Sequence, residues 1–125
     1  MVEDRITDGR RIAELLSSEL DGREDGDLAA VAVTNADRDV EPTAEGARAY
    51  DVTCSDERIA RVFLHEDRAH LEFETGQDVA ADAASDADLR VRPKATTPPR
   101  TLVFVESGAE VKRVTDVVQA VSRSL

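Results

Sequence analysis

Apolar positions recur at helical spacing near both ends of the chain and at strand spacing between them. Ile12, Leu15, Leu16 and Leu20 fall at i, i+3, i+4 and i+8, one stripe of a helix predicted over Asp8 to Asp21. Thr7 or Asp8 suits its N-cap and Gly22 the position just past its end, while Arg10 and Glu14 lie four apart on its exposed side. Val111, Val114, Val117, Val118, Val121 and Leu125 mark a second stripe near the C-terminus. Ser107-Gly108-Ala109-Glu110 before it has the form of a capping box, in which the hydroxyl and the carboxylate each satisfy an open backbone donor. Five valines are poor intrinsic helix formers, so this helix must be held by packing on a sheet.

The middle of the chain alternates. Leu28 to Thr34 reads as a strand buried on both faces, and Asn35 to Gly46 as a long acidic loop. Ala47–Cys54, Arg58–His65 and Arg68–Glu74 read as an antiparallel meander. With Glu66 and Asp67 as the second turn, Leu64 faces Ala69, Val62 faces Leu71 and Ala60 faces Phe73, which makes one apolar face. The other face then carries Arg61, Phe63, His65, His70, Glu72 and Glu74. A turn at Ser55 to Glu57 adds Tyr50, Val52 and Cys54 to the apolar side. Gly76 to Ala87, rich in Ala and Asp, is compatible with a helix or an irregular crossing. Asp88 to Arg92 suggests a short strand, Pro93 and Pro98-Pro99 bracket a loop, and Thr101 to Glu106 a fully buried strand.

This order predicts a single α+β domain over residues 1–125, with a short tail at 1–7 and irregular segments at 35–46 and 76–99. It has two layers: an N-terminal helix, about six mostly antiparallel strands and a C-terminal helix, with the helices on one face of the sheet. Ile59 and Phe63 are expected to lie exposed on the opposite face, which suggests a homodimer through that face.

Composition narrows the function. A 41% hydrophobic content in 125 residues is enough for a core without metals or disulfides. The longest apolar run, Leu28 to Val33, is far short of the roughly 20 residues a bilayer span needs. No secretory signal is expected from the charged start, and a lone Cys54 fits a reducing cytoplasm. The formal charge of −11, from 27 acids and 16 bases, disfavours nucleic acid and anionic membranes. The bases are 14 Arg and only 2 Lys, a profile that resembles proteins bathed in molar salt, where carboxylates stay hydrated and charge repulsion is screened.

Three constellations carry candidate chemistry. His65 and His70 come out as diagonal neighbours with Glu72 next in line, a two-histidine, one-carboxylate set of the kind that ligates metals. Arg90, Arg92 and Lys94 alternate along one strand face, and Arg100 follows the prolines, either an anion or small-ligand site by geometry or a set of cross-strand partners for Glu72 and Glu74. Cys54 falls on the face opposite the histidines, which argues against a thiol–imidazole pair. No phosphate loop, nucleophile elbow or zinc-protease motif is present, and no cofactor is expected.

Val91-Arg92-Pro93-Lys94 through Thr101-Leu102-Val103-Phe104-Val105-Glu106-Ser107-Gly108-Ala109-Glu110-Val111-Lys112-Arg113, with Thr7-Asp8-Gly9-Arg10-Arg11-Ile12-Ala13-Glu14, resembles small haloarchaeal proteins of unknown function. The resemblance covers most of the chain and implies no activity. The expected function is therefore a non-enzymatic cytoplasmic interaction or accessory module. A small-ligand or anion-binding domain is the alternative, and a metal-dependent enzyme the third.

Overall fold

A computed structural model of the chain describes residues 8–21, 30–96 and 99–125. The tail at 1–7, the proposed C-cap Gly22, the turn after it, the first residues of the strand predicted from Leu28, and Pro98 lie outside the described residues. Helix α1 spans Gly9–Leu20, β1 Val31–Thr34, β2 Ala47–Cys54, β3 Glu57–Leu64 and β4 Ala69–Phe73. Helix α2 follows at Gln77–Asp86, then β5 at Val91–Lys94, β6 at Arg100–Val105, a 3-10 turn at Gly108–Glu110 and α3 at Val111–Ser124. The fold is α+β: one six-stranded sheet in the order β1-β2-β3-β4-β6-β5, with every neighbouring pair antiparallel. No helix among the described residues is long and apolar enough to cross a membrane.

The register of β3 against β4 follows the apolar alternation, pairing Leu64 with Ala69, Val62 with Leu71 and Ala60 with Phe73. Strands β2 and β3 meet through Ser55 and Asp56, both at positive φ (52° and 68°), which gives the twist a two-residue hairpin demands. Tyr50, Val52 and Cys54 line the apolar face as expected. The Tyr50 hydroxyl donates to the Ala13 carbonyl of α1 at 2.8 Å, and burial pushes the phenol far above its ordinary titration range. Helix α3 lies against both α1 and α2, and its five valines are buried. Asp8 caps α1 by accepting from the Arg11 amide at 2.9 Å. Gly9 donates to the Glu66 carbonyl, so close to the β3–β4 turn that a Cβ would stand 1.8 Å from the His65 carbonyl oxygen. Only glycine permits that approach.

Several expectations are corrected. The segment 76–99, expected to be irregular, holds two elements: α2, of which only Ala80 and Ala84 are buried, and β5. Strand β5 starts later than Asp88 and includes Pro93, which an edge position tolerates. Strand β1 is the other edge and only Val31 of it is buried, while Leu102 leaves β6 half-exposed on the open side. Glu110 accepts from the Glu106 amide at 2.8 Å, but Ser107 makes no side-chain cap, because the first turn is 3-10 rather than α. Arg10 does not pair with Glu14; its guanidinium reaches the Arg38 and Val40 carbonyls instead. Leu125 ends the valine stripe in solvent, 57% exposed. Ile59 is fully buried, because a bulge falls between the pairs Val52–Ala60 and Thr53–Arg58 and shifts the alternation. Phe63 is half-buried under a stacked His70 ring. The exposed apolar pair that suggested a homodimer is therefore not present.

Candidate functional site

The strands that turn Leu71 and Val103 toward the helices turn His70, Glu72, Leu102 and Phe104 the other way. No helix among the described residues covers this side. Part of it lies under the loop 35–46, which is tied down by bonds from the Asp37 amide to the Ala49 carbonyl at 2.7 Å and from the Thr43 amide to the Leu64 carbonyl at 3.4 Å. Gly46, at φ +98°, sits on the histidines: a Cβ there would stand 2.9 Å from His70 Cε1 and 3.1 Å from His65 Nε2.

Under this loop a hydrogen-bonded chain runs along the sheet. His65 Nδ1–H donates to the Ala44 carbonyl at 3.0 Å, since a carbonyl can only accept. His65 Nε2 and His70 Nδ1 lie 2.7 Å apart, and His70 Nε2 is 3.1 Å from Glu72 Oε2. The other oxygen, Oε1, takes Arg100 at 3.1 Å and Lys94 at 3.4 Å. All three chain members are buried, with 3–4% of their surface exposed. Phe63 stacks on His70 at 4.9 Å between ring centres, and Phe104 closes the other side at 5.4 Å beneath the Arg68 and Arg90 guanidiniums.

Burial lowers the pKa of both imidazoles. For His70 the Glu72 bond opposes that effect without overcoming it, and for His65 the Ala44 bond does the same. Burial also pushes the Glu72 carboxyl upward, but the His70 and Arg100 hydrogen bonds and the Lys94 charge outweigh it, so the carboxyl is held below its ordinary range.

The structure brings the sequence-predicted metal set together as a line, not a cage. A tetrahedral metal site would hold two ligating nitrogens about 3.3 Å apart with both lone pairs on the metal. Here the nitrogens face each other at 2.7 Å, and Glu72 lies beyond His70. Among the described residues no group of three or more His, Cys, Asp or Glu is placed to hold a metal ion. Cys54 is buried on the helix side, its Sγ 3.4 Å from Ser122 Oγ.

The predicted basic residues do share a face. Lys94 and Arg100 are a cross-strand pair that meets on Glu72, and Arg92 stands exposed opposite Leu102. Arg90 lies over Phe104 and 3.5 Å from Glu106. Three more arginines stand on the same face: Arg61, expected there, and Arg48 and Arg58, which escaped the sequence reading. Arg48, Arg58 and Arg61 line a shallow open hollow with Asn35 and Asp51. Arg48 is 3.4 Å and Arg58 4.0 Å from Asp51, while Arg58 at 3.2 Å and Arg61 at 2.9 Å share Glu74. The place of Arg61 opposite Glu72 was a usable signal, but the bulges at Ala49 and Ile59 hide Arg48 and Arg58 from strict alternation. A second open hollow lies between α1 and the loop 35–46; neither hollow is lined by His65, His70 or Glu72.

The chain matches a family of unknown function (DUF7993) across residues 1–125 and belongs to it. No curated protein and no solved structure matches it.

Proposed function

We propose that this member of a family of unknown function is a non-enzymatic interaction module that takes an acidic segment of a partner protein on the open face of its sheet. One observation carries this reading: the charge of that face is reversed. On it stand two basic groups, the trio Arg48, Arg58 and Arg61 and the quartet Arg90, Arg92, Lys94 and Arg100. Their carboxylate partners among the described strand and strand-flanking residues are Asp51, Glu72, Glu74 and Glu106, in a chain whose net charge is −11.

The remainder of the molecule is correspondingly more acidic. A long polyanion such as duplex nucleic acid would overrun the face onto that acidic remainder, whereas a short carboxylate-bearing segment fits within it. Joining two copies by this face would oppose like charges, so the occupant is a different chain. All of these bases but Lys94 are arginines, whose planar forks hold carboxylates through paired hydrogen bonds. Such contacts persist where salt screens longer-range attraction. This suits the haloarchaeal, cytoplasmic setting that the Lys-poor, acid-rich composition supports, where the Debye length falls to roughly 3 Å at about 1 M salt. The burial of the His65–His70–Glu72 chain, away from both hollows, favours binding over catalysis.

Fluorescence anisotropy with a labelled Asp/Glu-rich peptide of about ten residues tests the reading in molar KCl. Reversing two exposed charges, Arg48→Glu and Arg92→Glu together, is expected to weaken binding on the order of tenfold or more, about 1.4 kcal/mol per decade. Equal binding by the two proteins, or none by either, overturns it.

A further inference from the structure

We infer that the His65–His70–Glu72 chain is a proton-operated latch for the loop 35–46, closed only when the chain carries one proton more than two neutral imidazoles supply. The count follows from donors and acceptors. The Ala44 carbonyl only accepts, so the link at 3.0 Å needs a proton on His65 Nδ1. The contact between the rings at 2.7 Å needs one shared proton. The contact of His70 Nε2 with Glu72 at 3.1 Å needs a third, because an ionised carboxylate also only accepts. Two neutral imidazoles bring two protons to three links. Arg100 and Lys94 on Oε1 keep Glu72 ionised, so the third proton belongs to the ring pair.

Loss of that proton to solvent selects which link opens. Glu72, an anion fixed by two cations, retains the proton on His70 Nε2. His70 Nδ1 then accepts from His65 Nε2–H, and His65 Nδ1 is left with a lone pair facing the Ala44 oxygen. That link is repulsive and gives way. The loop feels the change directly, because Gly46 rests on both rings. The charged groups facing the pair are Glu72 on β4, Asp67 and Arg68 at the β3–β4 turn, Lys94 on β5 and Arg100 on β6; the loop itself presents the Ala44 carbonyl. The latch does not depend on what docks on the sheet.

Nitrogen-15 NMR of the imidazoles and of the loop amides, followed from about pH 8 to pH 5, where histidine titrates, tests it. In the wild type, His65 Nδ1 is expected to pass from unprotonated to protonated as pH falls. The amides of Glu45 and Gly46 should shift with the same midpoint, and Gly46 exchange should slow relative to an unstructured peptide at each pH. In Glu72→Gln the amide donates to His70 Nε2, so two protons satisfy all three links. This variant should show His65 Nδ1 protonated and the loop closed across the whole range. The latch is overturned if wild-type His65 Nδ1 stays protonated throughout while the loop amides do not move. It is equally overturned if Glu72→Gln follows the wild-type curve. Should that variant not fold, the wild-type titration decides alone.

Discussion

Leu71 and its neighbours His70 and Glu72 are buried to nearly the same degree on one strand, yet they are covered in opposite ways. Leu71 looks toward the three helices, where Ile12, Leu16, Val114 and Val118 fill a dry layer. His70 and Glu72 look toward a lid made of a loop, two aromatic rings and the stems of basic side chains. Burial behind helices costs nothing in charge and holds at any pH. Burial behind polar partners holds only while each donor has its acceptor, so the open side is conditional where the helix side is not.

Mutation and titration can sharpen that contrast. The largest effect belongs to the dry side: Leu71→Ala should lose about 2–5 kcal/mol in urea denaturation, because the surrounding layer relaxes only partly into the cavity. The loss should be the same at pH 8 and pH 5. Glu72→Ala comes next, at about 1–3 kcal/mol, since it strips His70 Nε2, Arg100 and Lys94 of their common acceptor. A loss as pH-independent as that of Leu71→Ala would erase the distinction between the faces.

The smallest effect is the pH slope of the wild type. The fold lowers both histidine pKa values, so below the ordinary value of about 6.5 the unfolded chain binds more protons than the native one. Their contribution to stability is therefore full above that pH and is lost as pH falls through it toward the lowered native values. Glu72, also lowered, adds a further loss below the ordinary carboxyl range. Urea midpoints in a His65→Gln, His70→Gln double variant should lose the slope in the histidine window and keep the carboxylate part. Acid thus lowers global stability while closing the Ala44 link, and the two readouts should move in opposite directions.

The sheet was legible where alternation was strict. Glu66 and Asp67 as a two-residue turn fixed the β3–β4 register, and with it the diagonal placement of His65 and His70. The valine stripe located α3, and Asp8, one of two cap candidates with Thr7, the start of α1. Legibility failed where one residue broke the period. The bulge at Ile59 moved an expected surface residue into the core and concealed Arg58, as the bulge at Ala49 concealed Arg48. Helix α2 buries only Ala80 and Ala84, too few apolar positions to declare a period. The lid over the histidines had no pattern to show, because the loop 35–46 is held by backbone bonds and by the room Gly46 leaves. Cross-strand pairing of the basic residues with Glu72 was readable as the alternative to an anion site, and the order β4-β6-β5 realises it through Lys94 and Arg100.

Strand β5 also decides how the molecule behaves among copies of itself. The Phe104 amide bonds to the Arg90 carbonyl, so the ladder alternation turns the backbone groups of positions 91 and 93 outward from the sheet edge. Position 93 is proline, which has no N–H to offer, and Arg92 and Lys94 flank it with charge. A neighbouring strand arriving at this edge meets a missing donor in the middle of four residues. The sheet therefore ends here, and crowding the protein to high concentration should not extend it past β5.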